Sequence, residues 1–381
     1  MHSDLTSANT ETAAVALMRD YVQSCAFIHD DWIPHLGVPD WGQYDTNPFL
    51  VGAEVCVVGR LTGFGGDYID YLRELKSFPE VVIVPRNLNN NIVVSLLNDE
   101  GALAQFRRVV NERRLDISSF YSDELRELPA LLEALRSPDH APLLHPTQHA
   151  FHLANTKFSI QKYPVEAGVP VPLGMACDTL DDLLAFFRQN QERQAPIVVK
   201  QAHREIDRVM DESDLRHLIP SLTFPVLAER LYEVSSSPIV NMVVWNGQRE
   251  ALFTVNQVLQ KMVHWGNEIP ADISDDETAL MIDYTRRIAE QMGNFVGVFG
   301  VDYIVTPDDG IMAVDINPRF CGSTYPFAFL QRLGFDLGAI HARYRLVQCN
   351  VPTLSTVLNH PEFVPLSADR PYGIFLYDPV V

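Results

Sequence analysis

Apolar and polar positions alternate along this chain in two rhythms. Up to about residue 145 strand-like and helix-like signals take turns: Glu54 to Val58 reads as a short apolar strand, Tyr68 to Leu75 as a helix, and Val81 to Val84 as a second strand. That order predicts a parallel α/β layer. Helical periodicity returns over Ser122 to Arg136, and the polar, proline-containing Ser137 to Pro142 ends it, which places a boundary there. Further on, Pro196 to Lys200 is an apolar run closed by a lysine. Ile239 to Trp245 and Ala251 to Val255 flank the turn residues Asn246 and Gly247 and predict a hairpin in a large sheet. Residues 276 to 293 carry Ala279, Ile282, Ile288, Ala289 and Met292 at helical spacing, with Gly293 closing the pattern. Leu337 to Val347 reads as a last helix, and the chain from Pro365 onward as loop and short strand.

The most specific signal lies between Gly297 and Arg319. Tyr303 to Val305 and Ile311 to Ile316 are β-branched or aromatic runs separated by Pro307 to Gly310, which has the chemistry of a tight turn. If those four residues form the loop, Thr306 pairs with Ile311 and Asp302 faces Asp315. Side chains on a strand alternate, so Asp315 and Asn317 share a face, and Arg319 joins them if the chain stays extended through Pro318. Two carboxylates facing each other across a strand pair repel, and a hard divalent cation with oxygen ligands is the usual remedy. The bland alternative is a solvated hairpin with charges at its edge. The apolar run Gly297 to Val301 leading in, together with Asn317 and Arg319, favours a magnesium site.

The string from Gly297 to Pro326, with Asn-Pro-Arg followed by Cys-Gly-Ser-Thr-Tyr-Pro, resembles the C-terminal metal-binding hairpin of the ATP-grasp superfamily. The resemblance implies an α/β chain in which a Rossmann-like domain, 1–145, precedes two α+β subdomains that grip ATP, a small lid over 146–228 and a large subdomain over 229–381. It implies Asp302, Asp315 and Asn317 as magnesium ligands and Arg319 as the catalytic cation at the transferring phosphate. The family most often has Glu where this chain has Asp315. Lys157 and Lys200 fall where the family places its phosphate-binding lysines, Glu229 and Leu231 at its adenine-binding hinge, Glu233 at the ribose, and Lys261 where some members add a triphosphate contact. Taken singly, Lys157 and Lys200 read as solvated surface more readily than as ligands, but as a pair in this order before the hairpin they favour the nucleotide site; for Lys261 a surface lysine is the equal alternative. A glycine-rich loop is usual after the second lysine. Here Gln201 to Met210 has no glycine, so either His203, Arg204 and Arg208 replace backbone donors or the chemistry is weakened.

Composition narrows the picture further. With 381 residues and 47% hydrophobic content, the chain can bury a large core and form two or three domains. A net charge of −20 argues against a nonspecific nucleic-acid surface. Cys25, Cys56, Cys177, Cys321 and Cys349 lie far apart without zinc or redox spacing and read as reduced thiols. His140, His145, His149 and His152 cluster, but no Cys or carboxylate ligand accompanies them at a metal-site spacing. The glycines from Gly59 to Gly66 lack dinucleotide-fingerprint spacing, and the strand after them ends in Val84-Pro85-Arg86 with no acidic ribose ligand. The Gly63 to Asp67 loop and the turn Asn87 to Asn91 are candidates for substrate contact, with an ordinary loop the stronger reading. No apolar run approaches the ~20 residues of a membrane helix, and Met1 to Thr12 lacks a signal-peptide core. A cytoplasmic protein, off the membrane, is expected, with a homodimer as a compatible assembly.

The activity that the resemblance implies is ATP-dependent amide formation between a small carboxylate and an amine, on amino acids or short peptides, through an acyl phosphate. A nucleotide-binding protein without turnover and a small-molecule kinase remain the alternatives.

Overall fold

The computed structural model describes residues 12–28, 47–52, 55–59, 66–75, 79–88, 91–119, 127–193, 195–201, 206–260, 263–345, 353–366, 370 and 372–376. Three sheets organise them. Strands β1 (Cys25–Ile28), β2 (Cys56–Val58), β3 (Val81–Ile83), β4 (Asp116–Ser119) and β5 (Leu144–His145) form a parallel sheet in the order β3-β2-β1-β4-β5. Strands β1 and β2 are continuous apolar runs because both faces are covered. Ala26, Ile28, Cys56, Val58 and Ile117 pack beneath the helices Ile92–Leu97, Glu100–Arg113 and Leu128–Leu135, whereas Cys25, Phe27 and Val57 turn toward Tyr21 and Tyr68 on the other side. The expected parallel layer is present, and β1, four apolar residues too short to stand out in the sequence, is its centre. The expected helix at Tyr68 to Leu75 is observed as Gly66–Glu74; of that at Ser122 to Arg136, residues 122–126 lie outside the described residues and Leu128–Leu135 is helical.

A four-stranded antiparallel sheet follows, β6 (Gly174–Cys177), β7 (Ile197–Lys200), β8 (Asp207–Val209) and β9 (Val226–Arg230), ordered β6-β9-β7-β8. The helix Leu180–Gln191, begun by a reciprocal cap between Thr179 and Asp182, buries Leu183, Phe186 and Phe187 against it.

The largest sheet is antiparallel. It contains β10 (Pro238–Trp245), β11 (Gln248–Gln260), β12 (Val263–Ile269), β13 (Gly297–Thr306), β14 (Gly310–Asn317) and β15 (Ala342–Arg345), ordered β14-β13-β10-β11-β12-β15. Asn246 and Gly247, at φ 49° and 76°, make the turn between β10 and β11. Every residue of β10 is buried. Val240, Met242 and Val244 face the helix Asp275–Gln291 through Met281, Ile288 and Ala289; Ile239, Val243 and Trp245 face Leu17, Met18 and Tyr21 of the N-terminal helix Ala13–Gln23. The segment between β5 and β6 also packs on this sheet, through Ala154, Ile160, Tyr163 and Val169.

Two expectations need correction. The last predicted helix, Leu337 to Val347, is the edge strand β15 over Ala342–Arg345, with 346–350 outside the described residues. The edge of β12 accepts it at Gly266, where φ is +154° and an added Cβ would lie 2.0 Å from the Tyr344 carbonyl oxygen. The metal hairpin also turns differently: its loop is Pro307 to Asp309, and Thr306 faces Gly310 rather than Ile311. Gly310 takes φ +76° to close it. A bulge then adds one residue, Val314, on β14, so Tyr303 faces Ala313 yet Asp302 faces Asp315. The expected carboxylate pair is thus reached through a shorter loop and a compensating bulge.

Candidate active site

Asp302 on β13 and Asp315 on β14 stand opposite each other, and Asn317 donates a 3.4 Å hydrogen bond from Nδ2 to Asp302 Oδ1. Lys157, at the start of the 3-10 helix Lys157–Gln161, places Nζ 2.5 Å from Asp315 Oδ2. Lys200 ends β7, and its Nζ lies 2.6 Å from Glu229 Oε2 and donates to the Val314 carbonyl at 2.8 Å. The bulged residue therefore offers its carbonyl to the second lysine. Side chains of Lys200 and Glu229 are only 5% and 1% exposed, so this ion pair is sealed between the small sheet and the hairpin.

Arg319 arrives by an unexpected route. Its N–H donates to the Asn317 carbonyl at 2.8 Å, which bends the chain tightly over Pro318 instead of leaving it extended. Its guanidinium still reaches the site, donating to Asn155 Oδ1 at 3.0 Å and acting on both aspartates.

The charges decide how the pair sits. Burial and then the neighbouring Asp315 push the Asp302 carboxyl up to about 7, against the pull of Lys157, Gln257 and Arg319. Burial acts in the same sense on Asp315, but Lys157, Lys200 and Arg319 together outweigh it and hold that carboxyl below its ordinary range. Lys157 thus supplies the neutralising charge at Asp315 in this structure. The donor set still suits magnesium: two carboxylates and an amide are hard oxygen ligands, and magnesium normally completes its shell with phosphate and water. Among the described residues no cluster of three or more His, Cys, Asp or Glu side chains forms a closed metal cage.

Other candidate residues lie differently. Glu229 sits mid-sheet, paired through its backbone with Gly174 on one side and Val198 on the other, and its carboxylate belongs to Lys200. Leu231 follows β9 with its N–H donated to the Pro196 carbonyl at 2.9 Å. Glu233 is exposed two residues later. Lys261 lies outside the described residues, as do 202–205 and with them His203 and Arg204; Arg208 is exposed on β8. Of the loops named as substrate candidates, 63–65 and 89–90 are outside as well, while Asn91 caps the helix Ile92–Leu97. His145 binds Asp116 at 2.9 Å and His140 binds the Leu115 carbonyl at 2.8 Å, so both serve the parallel sheet.

The sequence reading missed Gln257 and Ser237. Gln257 on β11 hydrogen-bonds Asp302 and accepts from Ser237 Oγ at 3.0 Å. The available signal was alternation: Val255 is buried on the face shared with Ile239 and Asp302, so a polar residue two places on shares that face. Cys321, beside Arg319, has its thiol pushed up to about 12 by burial and stays protonated at neutral pH, so it offers no nucleophile.

Residues 194–323 match the family described as an ATP-grasp domain. The L-propargylglycine–L-glutamate ligase of Streptantibioticus cattleyicolor is 30% identical over 118 residues, 30% of this chain and 24% of that protein, so the chain matches about a quarter of that relative's length. Among solved structures, N5-carboxyaminoimidazole ribonucleotide synthetase from Thermus thermophilus is similar with a TM-score of 0.57 at 16% identity, over 88% of this chain and 87% of that one. The Staphylococcus aureus N5-carboxyaminoimidazole synthetase complexed with ADP gives 0.54 at 16% identity, over 78% and 71%. Biotin carboxylase from Campylobacter jejuni gives 0.55 at 14% identity, over 83% and 69%. Residues 194–323 are thus similar to an ATP-grasp domain, and the chain shares the fold of these synthetases, with a parallel sheet preceding the antiparallel ones.

Proposed function

We propose that the protein is an ATP-dependent carboxylate–amine ligase acting on amino acids or short peptides. The observation that carries this reading is the convergence of Lys157, Lys200 and Arg319 on the facing pair Asp302 and Asp315. A chain with net charge −20 that gathers three cations at one hairpin has built a local site for a polyanion. The name of the ligase relative, which joins two amino acids, supports the substrate class.

In this reading a carboxylate oxygen of the acid attacks the γ-phosphorus of ATP, ADP leaves, and the amine attacks the acyl carbon, expelling phosphate and losing a proton. Magnesium held by Asp302, Asp315 and Asn317 would neutralise the phosphates. Lys157 and Lys200 would position them, and Arg319 would meet the charge developing on the transferred group. For Lys157 and Lys200 to do so, each must exchange a carboxylate partner for a phosphate. Leu231 and Glu233, in the connection after β9, would lie beside the adenosine, and Lys261 beside the triphosphate. Boundaries near 146 and 229 would delimit the lid between the parallel-sheet domain and the large sheet.

The glycine-free segment after Lys200 favours a second reading, nucleotide binding without turnover. ADP release measured against a panel of amino acids and dipeptides separates the two. Acceptor-dependent ADP formation, lost in Asp315→Ala, supports the ligase, and hydroxylamine trapping would identify the acyl phosphate. Tight ATP binding with no ADP under any acceptor would sink it.

A further inference from the structure

The loop just past Arg319 is held by a residue that no site motif contains. Asn241 sits in the middle of β10, fully buried, on the face it shares with Ile239 and Val243. An amide there is costly unless both of its ends are bonded. Asn241 Nδ2 donates to Ser323 Oγ at 3.2 Å, and Thr324 Oγ1 donates to Asn241 Oδ1 at 2.7 Å. Thr324 Oγ1 in turn accepts the Cys321 N–H at 2.8 Å, and the Cys321 thiol donates to the Arg319 carbonyl at 3.6 Å. Directly across from Asn241 on β13 stands Gly300, where an added Cβ would lie 2.6 Å from Cys321 Sγ. Two facing strand positions, an amide and a missing side chain, are thus shaped to one short loop. The run from Asn241 through Thr324 and Cys321 ends on the backbone of Arg319.

We infer that Asn241 is a positioning residue for Arg319, fixing through Ser323, Thr324 and Cys321 where the guanidinium meets the transferring phosphoryl group. The inference rests on the proposed phosphoryl-transfer role of Arg319 and assigns to Asn241 no contact with substrate. A cation serves a developing charge only if its placement is set beforehand, and a displacement of about 1 Å can cost on the order of 100-fold in rate.

The test uses the full chain and three variants, Asn241→Leu, Thr324→Val and Arg319→Ala. Thr324→Val leaves β10 untouched and keeps the test alive if Asn241→Leu does not fold. Two quantities are read: affinity for Mg·ADP with tetrafluoroaluminate, which mimics the transferring phosphoryl, and affinity for Mg·ATP. Expected for Asn241→Leu and Thr324→Val is a loss of roughly ten- to 100-fold for the mimic, with Mg·ATP affinity within about twofold of wild type. Combined with Arg319→Ala, either change should add little, since both act through the same guanidinium. Wild-type affinity for the mimic in both variants, an equal loss for Mg·ATP, or full additivity with Arg319→Ala would overturn the inference. A wild-type protein that binds the mimic but releases no acceptor-dependent ADP would refute the ligase reading alone.

Discussion

Lys200 and Glu229 offer the sharpest test of how this site is built, because their ion pair is both buried and central. Replacing Lys200 by Met leaves a carboxylate that is 1% exposed with, among the described residues, only a long 3.4 Å hydrogen bond from Gln161 Nε2, and it also takes the donor from the Val314 carbonyl. Removing one member of a buried pair typically costs about 3–5 kcal/mol, because the remaining charge is uncompensated. For a cooperative unit of 150–250 residues, where each kcal/mol moves the midpoint about 2–4 °C, Lys200→Met should melt roughly 6–20 °C lower in calorimetry. Adding Glu229→Met removes the stranded charge, and the double variant should recover to within about 1–2 kcal/mol of wild type, the remainder being the unpaired Val314 carbonyl. Nucleotide affinity should not recover with it, since Lys200 is also the proposed phosphate contact. A single variant that melts with the wild type, or a double variant no better than the single, would refute the electrostatic argument. A double variant that binds ATP normally would refute the phosphate role.

Other consequences concern the remaining charges and one close approach. Lys157→Met takes the ammonium from Asp315, so Mn²⁺ binding without nucleotide, followed by electron paramagnetic resonance, should strengthen roughly tenfold, the factor given by 1.4 kcal/mol of relieved competition. Unchanged Mn²⁺ binding would contradict it. Asp116 is raised by burial but lowered more by its hydrogen bonds from His145 and the Leu143 N–H, so its folded carboxyl titrates below the ordinary range. Its contribution is present above the unfolded value of roughly 3.9 and is lost as pH falls through the lower folded value. Asp116→Asn should therefore melt below wild type at pH 7, by roughly 1–2 kcal/mol, with the gap closing as the pH falls below about 4; a gap constant across melts from pH 7 to pH 3 argues against this. Gly300→Ala drives a Cβ to 2.6 Å from Cys321 Sγ and 3.0 Å from Ile239 Cδ1, an overpacking of about 1–3 kcal/mol. Thermal melts should show Cys321→Ala restoring most of that loss when added, and a purely additive pair would place the strain elsewhere.

Strand alternation and turn chemistry determined, without coordinates, that Asp302 and Asp315 face each other, that Asn246 and Gly247 join two strands, and that residues 276 to 293 form a capped amphipathic helix. The turn and the helix follow from interactions a few residues apart in sequence and are present; the facing aspartates are present too, but not by the loop register that alternation and turn chemistry predict. The hairpin reached its facing pair through a bulge that no local signal announced, because a bulge is chosen by what its freed carbonyl can bond, and here that is Lys200, 114 residues away. Likewise β15 has a helix-compatible sequence, and only the open edge of β12, bare of side chain at Gly266, made it a strand. The ion pairs of Lys157 with Asp315 and Lys200 with Glu229 were invisible for the same reason. The sequence named the charges and their order along the chain, but which charge neutralises which depends on distance and burial, and those exist only once the three sheets have come together.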